Sequence, residues 1–367
     1  MDNSTKSYSN LKATLAMAKA SFRSILRSPS AVVFSLAFPL IFILVFGFIG
    51  GGGIKIDVGV DKASDLTNPI FMALKNVSVI HLIEDQSEEE MNSNLSKGRL
   101  DAIINIQKNA AMPPFTVNVQ YTKASLSNGN ILKSVLNNIL YKVNTRSGNA
   151  PPPVAELKET TVEGRTYKTI DFILPGQLGF SLLSSGVFGT AFVFLSLRLT
   201  LVIKRFFATP VKRYSIVLGE AIARIAFALL GALFIILIGH FAFGFTLIHG
   251  FVTVINMLIL SAIGLIVFMG FGFTVSGIAK NESTIPPIAN IITLPQFLLS
   301  GTFFSISAFP SWLQPISRAL PLTYLNDGMR KIAFEGAGLM DIKHQLLILF
   351  IWGIGIYALA VKVFKWE

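Results

Sequence analysis

Long uncharged runs alternate with mixed segments along this chain, and that alternation predicts its elements. Residues 28–54, 172–197, 225–279, 283–317 and 344–361 contain no Asp, Glu, Lys or Arg. A helix crosses the ~30 Å hydrocarbon core of a bilayer with about 20 apolar residues, so each run is long enough to span. The run from Ile225 to Ala279 has 55 residues, too many for one crossing, and Gly244, Thr246, His249 and Gly250 cluster near its middle. Dividing it between Phe243 and Phe251 gives six transmembrane helices. The pattern therefore predicts an α-helical polytopic membrane protein.

The mixed segment 54–170 reads differently. Ile54 to Val60 alternates as IKIDVGV, Val77 to Ile83 is rich in β-branched residues, and Ala102 to Ile106 and Phe115 to Tyr121 return to strand patterning. Ser87 to Lys97 opens with acids, and Ile131 to Val143 has apolar residues at helical spacing, so both predict helices. Together these give a small α+β domain, followed by a stiff Pro151-Pro152-Pro153 linker. Before the first run, Leu11, Leu15, Ala18, Phe22, Ile25 and Leu26 recur at helical spacing, with Lys12, Lys19, Arg23 and Arg27 between them. That pattern suits an amphipathic helix lying in the membrane interface. Its alternative is a helical extension of the first span, which Pro29 disfavours.

Charge sets the orientation. The chain of 367 residues is 14% charged and 52% hydrophobic, with a formal charge of +11, where a soluble domain has about 25% charged residues. Residues 55–171 hold thirteen basic and thirteen acidic side chains, so the whole excess lies beside the apolar runs. Nucleic-acid binding would place it in a soluble patch instead, and no nucleic-acid partner is expected. Basic residues precede span one, lie between spans two and three (Arg198, Lys204, Arg205, Lys212, Arg213) and follow span six (Lys362, Lys365). With six spans all three clusters fall on the cytoplasmic side. The expected domains are residues 1–28 as cytoplasmic tail and interfacial helix and 29–53 as the first span. Residues 54–170 are the extracytoplasmic domain, and 171–367 hold spans two to six. About 27 residues precede the first run, which is expected to stay as a membrane helix and not be removed as a signal peptide.

Candidate chemistry is sparse. There is no cysteine, which removes thiolate ligands and nucleophiles. No GxxxxGK[ST] phosphate loop, no HExxH and no GxSxG occurs, so neither an ATP site nor an enzyme active site is expected in this chain. His240 and His249 lack ligand-spaced partners and read as packed or interfacial residues. Glu220 and Arg224 are four residues apart at the start of span three, which allows a mutual ion pair, a cytoplasmic gate or a substrate contact. The segment 198–219 carries basic residues, the aromatic pair Phe206 and Phe207, and a break at Thr209-Pro210. It is either an ordinary positive loop or a short helix offering an aromatic knob to a partner's groove. After residue 281, Pro286, Pro287, Pro295, Pro310, Pro315 and Pro321 punctuate apolar sequence. Prolines at membrane depth need protein or a cavity around the freed backbone groups, so span five is expected to lead into re-entrant pieces over 302–340. That placement puts Arg318 and the Asp327, Arg330 pair near the outer surface.

The order LPQFLLSGTFFSISAFPSWLQPISRALPLTYLNDGMR resembles the C-terminal signature of ABC-2 type transporter permeases. The resemblance rests on Pro295, Gly301, Phe309, Pro310, Pro315, Pro321, Tyr324, Asp327, Gly328 and Arg330. DFILPGQLGFSLLSSGVFGT is similar to that family's second span, ATPVKRYSIVLGE to its cytoplasmic loop, and NLSKGRLDAIINIQKN to the external domain of its larger members. Leu197-Arg198-Leu199-Thr200-Leu201 departs from the acidic residue, arginine and Gly-Thr-Leu common there. The resemblance implies that Lys204, Arg205, Phe206, Phe207, Thr209 and Pro210 couple the chain to an ATPase. It also implies that ATP and Mg are bound by two copies of that separate subunit, and that a second permease half, identical or homologous, completes the pore. A periplasmic adaptor and membrane lipid are further expected partners. The implied activity is export of an amphipathic or hydrophobic cargo such as a drug, an antibiotic or a lipid-like molecule across the inner or plasma membrane. Export of an envelope lipid or glycan, an ion-driven transporter and a membrane receptor are the alternatives.

Overall fold

The computed structural model describes residues 9–27, 36–45, 56–110, 112–122, 126–145, 155–162, 168–200 and 211–364. The chain forms two units, residues 52–168 and the remainder.

The first of these units is built on a sheet. Strands β1 (Ile56–Val60), β2 (Ile80–Ile83), β3 (Ala102–Lys108), β4 (Phe115–Thr122) and β5 (Ala155–Val162) lie in the order β2-β1-β3-β4-β5. β1 runs parallel to β2 and β3, β3 antiparallel to β4, and β4 parallel to β5. Strand side chains alternate between faces, and here the alternation is uneven in chemistry. One face offers Val58, Val60, Ile104, Ile106, Val117, Val119 and Tyr121 to helices α3 (Pro69–Lys75) and α5 (Leu126–Thr145), whose Phe71, Leu74, Leu132 and Leu136 complete a core. The other face packs Ile103 under Met91 and Leu95 of helix α4 (Glu88–Ser96). Beyond that contact the same face turns polar. α4 begins where Ser87 accepts from the Glu90 amide, and Glu88, Glu89 and Glu90 stand in its first turn, where carboxylates complement the helix dipole.

The second unit is helical. It comprises α1 (Asn10–Leu26), α2 (Leu36–Val45), α6 (Thr169–Ser184), a π-helical turn at Ser185–Gly189, and α7 (Thr190–Leu199). The chain continues as α8 (Arg213–Phe243), α9 (Phe251–Ile278), α10 (Ile285–Leu299), α11 (Gln314–Ala319), α12 (Pro321–Arg330), a second π turn at Lys331–Glu335, and α13 (Lys343–Val363). Among the described residues four helical stretches are long and apolar enough to cross a membrane: Thr169–Leu199, Tyr214–Phe243, Phe251–Ile278 and Lys343–Val363. The apolar helix Leu36–Val45 is shorter. α10 has 15 residues, about 22 Å at 1.5 Å per residue, which falls short of the hydrocarbon core. The chain is thus a multi-pass membrane protein.

α9 is the central helix. Gly264, Gly270, Gly272 and Gly277 line it, and a Cβ at each would lie within 2.8 Å of Leu325, Ile356, Gly186 or Val363 atoms. Small residues let helix backbones approach closely where no hydrophobic effect drives them together. α8 ends where Gly244 takes φ 68° and its amide caps Gly239 and His240, a left-handed cap that glycine adopts without strain. α9 starts at Phe251, so the longest uncharged run divides at the residues its own glycines indicate. α1 packs along α8, with Thr14 and Ala18 buried and Gly219 close against Met17 and Thr14, while Leu11, Leu15 and Leu26 stay exposed. The prolines behave in two ways. Pro286, Pro287, Pro315 and Pro321 stand at helix starts, where their missing amide costs nothing, and among the described residues Pro39, Pro175 and Pro295 lie within helices.

Candidate functional site

Lys204, Arg205, Phe206, Phe207, Thr209 and Pro210, the residues expected to couple the chain to an ATPase, lie outside the described residues. The segment that carries them is anchored at its start: the Arg198 guanidinium donates to the Ala279 carbonyl, joining the end of α7 to the end of α9. Arg198 belongs to the stretch that departs from the family pattern.

About two to three turns into α8 sits a buried ion pair. Glu220 and Arg224 are 5% and 6% exposed, and the Arg224 Nη2 donates to the Glu220 Oε1 at 2.9 Å. The guanidinium lies against the first π turn. A Cβ at Gly189 would fall 1.9 Å from Arg224 Nη1, so only glycine admits Arg224 at this place. π turns insert one residue into a helix and frequently mark functional positions. The same turn faces α9 on its other side, where Gly272 approaches the Gly186 and Val187 carbonyls. Arg224 Nε is buried and has no acceptor among the described residues. The pair therefore satisfies its charge along a single helix face, with one donor left over.

A second polar cluster surrounds the broken segment after α10. Gly301 takes φ 69°, and the turn it makes is held from α12. Asn326, 0% exposed, donates to the Ser300 carbonyl at 3.1 Å and the Thr302 hydroxyl at 3.4 Å. Arg330 donates to the Gly301 carbonyl, and through Nε and Nη2 to the Phe172 carbonyl at 3.2 and 3.0 Å, with its guanidinium 3.6 Å from the centre of the Phe172 ring. Gly176 and Gly179 of α6 make room for Thr302 and Asn326. Asp327 turns elsewhere, to Lys331 at 2.8 Å and Gln345 at 2.6 Å. The Tyr324 hydroxyl donates to the Arg318 carbonyl, Gln314 donates to the Phe309 carbonyl, and Pro310 accepts from the Leu313 amide. Gly328 lets Leu260 approach, Pro315 and Pro321 open α11 and α12, and Pro295 is exposed within α10. Of the signature residues, Tyr324 and Arg330 donate to backbone carbonyls around the broken segment, the kind of partner that broken helices at membrane depth require.

The helical unit also holds a patch of rings. Phe38 and Phe42 of α2, Phe180 of α6, Phe297 of α10 and Phe303 lie with centroids 3.8 to 6.5 Å apart.

Asn326 and Asp171 carry contacts that the sequence pattern did not single out. Asp171 is 0% exposed and accepts from the Thr246 amide and hydroxyl at 2.7 and 3.0 Å, fastening α6 to the α8–α9 turn. A carboxylate at the very edge of an uncharged run was the available signal. His240 Nδ1 lies 2.8 Å from the Phe245 carbonyl, and the described residues contain no group of three or more metal-ligating side chains.

Comparison with known proteins gives a consistent result. The model of the family described as "ABC-2 family transporter protein" matches residues 29–362. The chain is similar to ABC transporter G family member 20 of Dictyostelium discoideum, 23% identical over 375 residues, which cover 96% of this chain and 51% of that protein. The chain thus spans about half the length of that relative. It is also similar to Probable multidrug ABC transporter permease YbhS of Escherichia coli strain K12, 18% identical over 328 residues and 86% of each chain. Inner membrane transport permease YadH of the same strain is 24% identical over 164 residues, 45% of this chain and 62% of that protein.

Proposed function

We infer the function from one premise: this chain belongs to the ABC-2 transporter family, and is therefore the membrane-spanning subunit of an ABC transporter, whose ATPase is another component. On that premise we propose an export permease for an amphipathic or hydrophobic cargo. The observation that carries this reading is the ring patch of Phe38, Phe42, Phe180, Phe297 and Phe303, which gathers three helices and a loop without a charged side chain among them. Aromatic faces bind apolar and cationic amphipathic molecules without demanding a fixed counter-charge. The name of YbhS, which calls it a multidrug permease, agrees with such a cargo.

Energy enters through segment 198–219. Two ATPase subunits, holding ATP and Mg, close and open on hydrolysis, and Lys204, Arg205, Phe206, Phe207, Thr209 and Pro210 carry that motion into the membrane. A ligand state shifts a conformational equilibrium only through differential contact, so the knob must bind the two ATPase states unequally. The buried pair Glu220 and Arg224, on the first turns of α8 beyond that loop, forms the cytoplasmic gate. A second permease half, identical or homologous, faces this one. The basic clusters support a cytoplasmic location for both termini, with residues 54–170 on the far side of the inner or plasma membrane and available to a periplasmic adaptor. Six spans follow if α2 and α10 each cross with the help of neighbouring segments.

The test is Phe206→Ala with Phe207→Ala in a chain co-expressed with its ATPase. Both ATP-driven export and co-purification of the ATPase are expected to fall at least tenfold. If both survive, coupling does not run through this segment. Transport by the purified chain alone under an imposed proton gradient would overturn the reading altogether.

A further inference from the structure

The sheet unit holds a cleft that transport does not require. It encloses about 120 Å³ and is lined by Asp61, Glu88, Met91, Asn92, Ile103, Asn105, Asn118 and Gln120. Its origin is in the sheet. α4 covers only one part of the second face, and the positions next to that cover carry carboxamides where the first face carries valine and isoleucine. Register makes the arrangement strict: Asn105 lies directly opposite Asn118, and Ile103 opposite Gln120, so all four side chains share a face. Gly59 of β1 lets Met91 and Leu100 close the floor, and Glu88 and Asn92 form the rim one helical turn apart.

Polar groups on a sheet face usually find each other or water. Here they are organised for a guest of one kind. Asp61 is held by the Ala63 amide at 2.9 Å and by Asn105 Nδ2 at 2.9 Å. That bond fixes the orientation of the Asn105 amide, so its Oδ1 is the atom left over, and this oxygen is buried without a donor among the described residues. An unmatched buried acceptor is costly unless something donates to it. Among the described residues the lining therefore presents two carboxylates and one unmatched carbonyl, and no Lys, Arg or His. Lys158, opposite Asn118 on the next strand, is exposed and does not line the cleft.

We propose that this cleft binds a small organic cation through its ammonium group. Asp61 and Glu88 supply the counter-charge, and the carboxamides of Asn92, Asn118 and Gln120 receive a hydroxyl or other polar remainder. Carboxamides both donate and accept, which suits an amino alcohol better than a bare alkylamine. Ethanolamine has this composition, and it reaches a membrane protein either free or as a lipid headgroup. The site stands independently of the transport reading, because all of its lining residues belong to the sheet unit.

The experiment uses the full chain in nanodiscs. Ethanolamine is titrated into protein held in phosphatidylcholine, with ethylene glycol as the neutral control, and binding is read by calorimetry and by the amide signals of labelled Asn and Gln. Saturable binding of ethanolamine is expected, with ethylene glycol at least tenfold weaker. Glu88→Gln alone, at an exposed rim position, and Asp61→Asn with Glu88→Gln should each weaken ethanolamine at least tenfold while the thermal midpoint is kept. Repeating the titration in bilayers containing phosphatidylethanolamine separates the sources: apparent weakening of free ethanolamine identifies the headgroup as occupant, and unchanged affinity identifies the free amine. The proposal is overturned if ethanolamine does not saturate, if ethylene glycol binds as well, or if Glu88→Gln binds ethanolamine as the unmodified chain does.

Discussion

Two polar clusters inside the helical unit use the same device for opposite ends. At both, a glycine on the α6–α7 stretch admits a polar side chain from another helix: Gly179 faces Asn326, and Gly189 faces Arg224. Around Gly301, Asn326 and Arg330 donate to backbone carbonyls of segments 172 and 300–301, so their partners are parts of the fold itself. Around Gly189, Glu220 and Arg224 have each other, on one helix, beside a π turn. A side chain bonded to another segment's backbone cannot let go without opening the fold. A pair bonded within its own helix carries its own partner, so it can move as a body without leaving either buried charge unpaired. We propose that the first cluster acts as a fastener and that the second moves during transport.

Breaking the fastener should have the largest effect. Arg330→Ala removes a charged donor shared by two carbonyls, each worth about 1.5–3 kcal/mol, and the chain should lose several kcal/mol. Its thermal midpoint in detergent should fall sharply, with little monodisperse protein recovered. Gly176→Ala is next: its Cβ would sit 2.5 Å from the Thr302 carbonyl oxygen, backbone that cannot swing aside, and overpacking of this kind costs about 1–3 kcal/mol. At the other cluster the same change, Gly189→Ala, meets the movable end of Arg224. It should lower the midpoint less than Gly176→Ala while reducing export more, a crossing of two readouts that equal roles would not give.

The smallest effect is expected in the sheet unit. The Thr67 hydroxyl and amide hold the Asp65 carboxyl below its ordinary value. With a depressed folded pKa, the stabilisation is present above the unfolded carboxylate value and is lost as pH falls through the folded one. Asp65→Asn should flatten the acid limb of that unit's unfolding slightly, measured by its circular dichroism between pH 5 and about 2, and should leave export unchanged.

The sequence revealed most where apolar periodicity and glycine agreed. The division of residues 225–279 at Phe243 and Phe251 follows from Gly244 and Gly250, and strands 56–60, 102–108 and 115–122 follow from alternation. It revealed less where charge masked the pattern. β5 reads AELKETTV, with polar residues on both faces, and so carries no strand signal until β4 is beside it. Pro69–Lys75 is only seven residues, too short for periodicity to speak. The π turn SGVFG has no local signature, and the residues that lie against it, Gly272 and Arg224, come from distant parts of the chain. Among the polar groups, Glu220 and Arg224 were visible as charges beside an uncharged run. Asn326 was hidden within a signature whose prolines drew attention first, and its role depends on Gly179 from a distant helix.

The contrast between fastener and moving pair is tested most directly by Glu220→Met with Arg224→Met. Replacing both members of a buried pair by apolar side chains of similar volume is often neutral or stabilising, whereas removing one costs about 3–5 kcal/mol. ATP-driven export and thermal midpoint would be measured on the same reconstituted complex. The account predicts an unchanged or higher midpoint with export reduced at least tenfold. Export at the unmodified rate would contradict it, as would a fall in midpoint matching that of Arg330→Ala.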